Sequence, residues 1–251
     1  QPYDKTFFEE HNKRFGLVID FFEVALNEKS VNLIQQAEAI CVFVNDMVTR
    51  QVIELLAAKG VKIIALRCAG FNNVDLSAAA QFNIRVVRVP AYSPHAVAEH
   101  AVAMIMALNR KTHKAYNRIR EQNFSLTGLM GVDLFGKIIG VIGTGNIGMV
   151  FSKIMLGFGC HVVAYDVKEQ ESMIRAGVVY CPLEEVLSKA DVLSLHCPLN
   201  EKTRYLINRD TIHQMKKGAM LINTSRGGLI NTQSVIHALK SGQLGALGID
   251  V

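Results

Sequence analysis

The run Ile138-Ile139-Gly140-Val141-Ile142-Gly143-Thr144-Gly145-Asn146-Ile147-Gly148 decides the fold class. An apolar, strand-like segment enters a GxGxxG turn, and a helix-like segment leaves it. A second apolar run, Val162-Val163-Ala164-Tyr165, closes on Asp166, eighteen positions after Gly148. Strand, glycine turn, helix, strand and acid in this order form a dinucleotide-binding fingerprint. Gly143 permits the tight turn, Gly145 lets the backbone approach a pyrophosphate, and Gly148 lets the helix pack closely on the strand. The helix N-terminus offers N–H groups and a positive dipole end to phosphate. The competing reading is a structural turn in a nucleotide-free α/β fold. Asp166 can accept hydrogen bonds from ribose hydroxyls and would repel a 2′-phosphate. Val167 rather than arginine follows it, so NAD is preferred over NADP. An ordinary surface aspartate is the alternative.

On either side of this motif, short apolar runs alternate with helix-like stretches, the pattern of parallel βαβ architecture. Strands are predicted at 16–22, 39–44, 61–66 and 84–89, with helices at 5–14, 31–36, 50–59 and 74–82. Pro90-Ala91-Tyr92-Ser93-Pro94 then marks a stiff hinge, with Ser93 and Pro94 suited to start a helix. One long helix is predicted from His95 to about Glu121. Its basic second half (Arg110, Lys111, His113, Lys114, Arg118, Arg120) reads as a solvated or subunit-facing surface rather than a nucleic-acid contact. Beyond the fingerprint, strands are predicted at 161–165, 178–181, 192–196, 219–223 and 246–251. Helices are predicted at 147–156, 168–176, 183–189, 209–215 and 233–241. The expected fold is α/β: two Rossmann/flavodoxin-like parallel-sheet domains, residues 1–93 and 94–251, joined by the proline hinge with a ligand cleft between them.

Composition fits a soluble globular chain: 251 residues, half hydrophobic and a fifth charged. Twenty-seven basic and 22 acidic side chains leave a net +5, too mild an excess to imply nucleic acid. The five cysteines show no CxxC pair, and most lie in or beside apolar runs, which suits a reducing, cytoplasmic setting. No apolar stretch is long enough to span a bilayer. The first residue is Gln1, and Gly248-Ile249-Asp250-Val251 reads as a buried strand lacking its following loop. The expectation is a longer chain at both ends.

Three further segments deliver polar residues to strand ends. Leu193-Ser194-Leu195-His196-Cys197-Pro198-Leu199 runs from a strand into a proline loop, where His196 is a base, a cofactor contact or a loop residue. Met220-Leu221-Ile222-Asn223-Thr224-Ser225-Arg226-Gly227-Gly228 carries an arginine suited to bidentate grip of a carboxylate, or to a structural ion pair. Arg67-Cys68-Ala69-Gly70-Phe71-Asn72-Asn73 forms a turn that either presents N–H groups to an anion or simply connects strand to helix.

Read together, RCAGFNNVD, VPAYSPHAVAEH, GVIGTGNIG, LHCPLNEKTRYLIN and MKKGAMLINTSRGGLIN resemble the D-isomer-specific 2-hydroxyacid dehydrogenases, most of all the bacterial fermentative D-lactate dehydrogenases. The resemblance covers essentially the whole chain. It implies an NADH-dependent reduction of a small 2-keto acid, pyruvate favoured, to the D-2-hydroxy acid. It implies that Ala69 and Gly70 hold the substrate carboxylate and that Tyr92 lies at the substrate site. Gly143, Gly145, Asn146, Ile147 and Gly148 take the phosphates and Asp166 the ribose. His196 and Pro198 lie beside the adenosine half, Thr224 and Arg226 beside nicotinamide and substrate, and Asp250 at the nicotinamide carboxamide. Arg226 is the expected catalytic residue, polarising the ketone oxygen. It further implies a homo-oligomer paired through the NAD-binding domain, and no metal, nucleic-acid or membrane partner.

The family's acid–base histidine and glutamate lie beyond the arginine. Here no glutamate follows Arg226, and the only later histidine, His237, falls in a helical run. The expectation is a chain that lacks this pair and the first strand of its substrate domain, and that is inactive alone. A non-catalytic, NAD-sensing corepressor-type module on the same fold is the alternative.

Overall fold

The computed structural model describes residues 2–91 and 93–251. The chain divides into two compact units, Gln1–Tyr92 and Ser93–Val251.

In the first unit, α1 (Pro2–Asn12) precedes β1 (Ala39–Val42), α2 (Arg50–Ala58), β2 (Ile63–Leu66), α3 (Leu76–Gln81) and β3 (Arg85–Arg88). The strands form a parallel sheet in the order β1-β2-β3, with Ala39 opposite Ile63 and Ile63 opposite Arg85. Val52, Ile53 and Leu56 give α2 one apolar face, buried in a core with Val42, Ile64 and Leu66. Thr49 caps α2 by accepting from the Val52 N–H, and Asp75 caps α3 by accepting from that of Ala78.

Two expectations fail here. Residues 16–22 are not a strand. The Asn12 side chain accepts from the Leu17 N–H at 2.8 Å and donates to the Leu17 carbonyl at 2.6 Å. Both ladder groups of Leu17 are thereby taken, and Val18 is 95% exposed. The helix expected at 31–36 is a single 3-10 turn, Ser30–Leu33.

The second unit opens with α4 (Pro94–Arg110) and α5 (Thr112–Arg120). Then follow β4 (Ile138–Ile142), α6 (Asn146–Gly157), β5 (His161–Tyr165), α7 (Glu171–Arg175), β6 (Val179–Tyr180), α8 (Leu183–Lys189) and β7 (Val192–Leu195). The unit closes with α9 (Arg209–Gln214), β8 (Ala219–Asn223), α10 (Thr232–Ser241) and β9 (Leu244–Ile249). All six strands are parallel, in the order β6-β5-β4-β7-β8-β9. One sheet face packs with Val186, Ile212 and Val235 of α8, α9 and α10. The other packs with Ile105, Phe151 and Met155 of α4 and α6. Apolar burial on both faces is what a doubly wound parallel sheet requires.

The single helix expected over 95–121 is two. Lys111 adopts left-handed φ 51° and ψ 35°, ending α4 and starting α5. Its ammonium donates to the carbonyls of Gly128 at 2.9 Å and Met130 at 2.8 Å. Arg118 donates to those of Ser125 and Thr127. Two cations of the basic stretch therefore hold the loop that follows it. The last strand begins at Leu244, earlier than expected, and leaves out Asp250 and Val251. Among the described residues, no helix is long and apolar enough to cross a membrane.

Candidate functional site

Sheet order reverses at β4, whose neighbours are β5 on one side and β7 on the other. Ligands of open α/β sheets bind outside the carboxyl ends of strands at such a switch point. The glycine turn leaves β4 there. Gly143 has φ +95°, and a Cβ on it would lie 2.6 Å from the Cys197 amide nitrogen. A Cβ on Gly148 would lie 2.0 Å from the Gly143 carbonyl oxygen, so helix and turn close on each other. A Cβ on Gly145 would meet nothing within 4 Å. No side chain caps α6, and no acceptor among the described residues takes the N–H of Gly145, Asn146 or Ile147. Open donors at a helix N-terminus, with free space in front, fit the pyrophosphate of a dinucleotide.

Asp166, directly after β5, accepts on Oδ2 from the Thr144 N–H at 2.5 Å and the Thr144 hydroxyl at 3.1 Å. Its Oδ1 accepts from the Lys168 N–H at 3.2 Å. His196 follows β7. Its N–H donates to the Ile142 carbonyl at 2.8 Å, its Nε2 lies 2.9 Å from the Ser194 hydroxyl, and its ring packs on Phe151. Desolvation lowers its pKa to about 4. The imidazole is neutral at neutral pH, which suits a packed or cofactor-facing role and not a proton donor. Burial likewise raises the neighbouring Cys197 thiol to about 11, leaving it inert. Pro198 is exposed, and its carbonyl accepts from Thr203.

Beyond β8, the Asn223 side chain folds the loop back. It donates to the Arg226 carbonyl at 2.8 Å and accepts from the Ser225 N–H at 3.0 Å. The Ser225 hydroxyl donates to the Cys197 carbonyl at 2.8 Å, joining the loops after β7 and β8. Arg226 donates to the Ser225 carbonyl at 2.6 Å. No carboxylate among the described residues pairs with it. Thr224 Oγ1 is buried without a hydrogen-bond partner among the described residues. An orphaned buried hydroxyl costs about 1–3 kcal/mol unless a ligand or water satisfies it. After β9, the Asp250 N–H donates to the Asn223 carbonyl, and its carboxylate lies 3.3 Å from His100 Nε2. The second unit thus gathers Gly143, Gly145–Gly148, Asp166, His196, Pro198, Thr224, Arg226 and Asp250 at the carboxyl ends of its strands.

In the first unit, Ala69 and Gly70 follow β2. No acceptor among the described residues takes either N–H. Arg88 donates to the Ala69 carbonyl at 2.8 Å and lies over Phe71. Arg67 pairs with Asp4 and lies over Phe43. Asn73 donates to the carbonyls of Phe43 and Asp46, both at 2.9 Å. Tyr92, the remaining substrate-site candidate, lies outside the described residues.

Sequence reasoning passed over Thr144, Tyr180 and Arg88. Thr144 stands between the fingerprint glycines and could have been weighed as an Asp166 partner. Nothing local to Tyr180 or Arg88 signals a role.

Residues 102–251 match the family model described as the D-isomer specific 2-hydroxyacid dehydrogenase, NAD binding domain. The D-lactate dehydrogenase of Escherichia coli is 50% identical over 251 residues, which are 100% of this chain and 76% of that protein. The apo-structure of D-lactate dehydrogenase from Escherichia coli superposes with a TM-score of 0.95 at 49% identity, covering 100% of this chain and 79% of that one. A D-lactate dehydrogenase structure from Aquifex aeolicus, complexed with NAD and lactic acid, has a TM-score of 0.86 at 37% identity over 99% and 74% of the two chains.

Proposed function

This chain belongs to the NAD-dependent D-isomer-specific 2-hydroxyacid dehydrogenases, and from that premise we propose that it interconverts pyruvate and D-lactate, with pyruvate as the favoured substrate. When bound, NADH supplies the hydride. The open N–H groups of Gly145, Asn146 and Ile147 hold its pyrophosphate, and Asp166 accepts from its ribose. The unused Thr224 hydroxyl and the Asp250 carboxylate orient the nicotinamide half. In the first unit, the open N–H groups of Ala69 and Gly70 receive the substrate carboxylate. In the second unit, Arg226 offers an anion a bidentate grip and stabilises negative charge that develops on a ketone oxygen.

One observation carries this reading. Arg226 stands at a strand's carboxyl end with no carboxylate partner among the described residues, beside the orphaned Thr224 hydroxyl. A cation in that position awaits an anion from outside the protein. The proton for the alkoxide comes from neither neutral His196 nor His237, which is exposed on α10.

Exposed Tyr116, Ile119, Phe124, Leu126 and Met130 on α5 and the loop after it support a homo-oligomer paired through the second unit. A cytoplasmic setting fits the cysteines, which form no disulfide among the described residues.

The test is a titration of the NADH complex with pyruvate and with 2-keto acids of larger side chain. Pyruvate should perturb bound NADH fluorescence at the lowest concentration, and Arg226→Ala should abolish the response. Preference for a bulkier keto acid, or an unchanged response in Arg226→Ala, would overturn the assignment.

A further inference from the structure

Thr144 is fully buried, yet every polar atom of its hydroxyl and amide is committed to one chain of hydrogen bonds. Its N–H and its hydroxyl both donate to Asp166 Oδ2. The hydroxyl proton is thus spent, and Oγ1 accepts from the Tyr180 hydroxyl at 2.8 Å. The Tyr180 oxygen in turn accepts from the Gln170 N–H at 3.2 Å. Proton direction is fixed from Gln170 through Tyr180 and Thr144 to the carboxylate. Tyr180 reaches this position from β6, where it pairs in register with Ala164, two residues before Asp166.

We propose that Tyr180 and Thr144 are positioning residues that clamp the Asp166 carboxylate toward the ribose, and so determine the preference for NAD over NADP. The inference rests on Asp166 as the ribose-binding acid. An ionised carboxylate offers about four acceptor sites. Thr144 fills the two on Oδ2, and Lys168 fills one on Oδ1. The site left on Oδ1 takes a ribose hydroxyl. A 2′-phosphate brings only acceptors and negative charge to a carboxylate that the clamp prevents from turning away. A carboxylate without the clamp is free to rotate, which weakens its grip on the hydroxyl and relaxes its repulsion of the phosphate.

The experiment measures NADH and NADPH dissociation constants by calorimetry on the full chain, wild type and three variants. Tyr180→Phe removes one oxygen, and Thr144→Val replaces the hydroxyl at near-equal volume. Tyr180→Phe should weaken NADH about fivefold, the scale of one lost buried hydrogen bond. NADPH affinity should hold or improve, so that discrimination falls by at least that factor. Thr144→Val should lower it further. If Thr144→Val fails to fold, Tyr180→Phe decides alone. A role confined to packing would weaken both cofactors alike and leave their ratio unchanged, which overturns the proposal. Asp166→Asn tests the premise. If it leaves discrimination intact, the ribose reading falls and the clamp with it. If it removes discrimination while the other two variants keep it, only the clamp falls.

Discussion

In the second unit the glycine turn is held from within: the Gly143 backbone lies against Cys197, Gly148 closes on the Gly143 carbonyl, and buried Thr144 ties the turn to Asp166. In the first unit the turn at Ala69–Gly70 is held by side chains, with Arg88 donating to the Ala69 carbonyl and the Cys68 thiol to that of Gly70. Both turns leave parallel strands, and both keep N–H groups open. The difference lies in what enforces them. Backbone sterics at Gly143 and Gly148 tolerate no added atom, whereas side-chain anchors can be exchanged or lost one at a time. A cofactor shared across a family suits the first kind of site. The substrate turn proposed at Ala69 and Gly70 is of the second kind.

The sharpest way to break this contrast is Gly143→Ala. A left-handed φ and a Cβ 2.6 Å from backbone should together cost about 3 kcal/mol and abolish NADH binding. Calorimetric melting and NADH titration check it, and a well-folded, NADH-binding variant would remove the idea of an internally enforced turn. Next in size, Arg226→Ala should weaken pyruvate binding to the NADH complex at least tenfold while NADH affinity stays within about twofold.

Acid should separate the units. The unfolded chain protonates His196 near 6.5, the folded unit only near 4. Stability of the second unit therefore falls as pH drops across that window, by up to about 1.4 kcal/mol per pH unit. In the first unit, burial raises the Asp4 pKa, but Arg67 outweighs it and holds the carboxyl below 3.8. The Asp4 contribution is present above 3.8 and lost only as pH falls through the lower folded value. Hydrogen exchange should show the second unit loosening between pH 6.5 and 4 while the first is steady. Exchange of His196 for Gln should remove that slope. Smallest, Asn73→Ala should cost the first unit about 1–2 kcal/mol, leaving NADH affinity unchanged.

The same contrast explains what was legible in the sequence. The six parallel strands of the second unit announce themselves as apolar runs because both sheet faces are buried. Gly143 and Gly148 of the fingerprint announce themselves because no other residue fits there. Residues 16–22 misled because their apolar pattern resembles a strand, while Asn12, outside the run, takes the Leu17 ladder groups. The break at Lys111 was hidden because helical periodicity continues on both sides of one left-handed residue. Tyr180 lies 36 positions from Thr144, and Arg88 lies 19 from Ala69. Contacts made by folding across such distances leave no local mark.

The central claim is that the carboxyl ends of the second unit's strands hold a dinucleotide against the glycine turn. Gly145→Val tests it most directly, because among the described residues a Cβ there meets no atom within 4 Å beyond its own stretch of chain. Calorimetric titration of NADH, with melting on the same samples, should give binding by the wild type, none by Gly145→Val, and near-equal melting temperatures. Equal NADH affinity in the two proteins would contradict the claim.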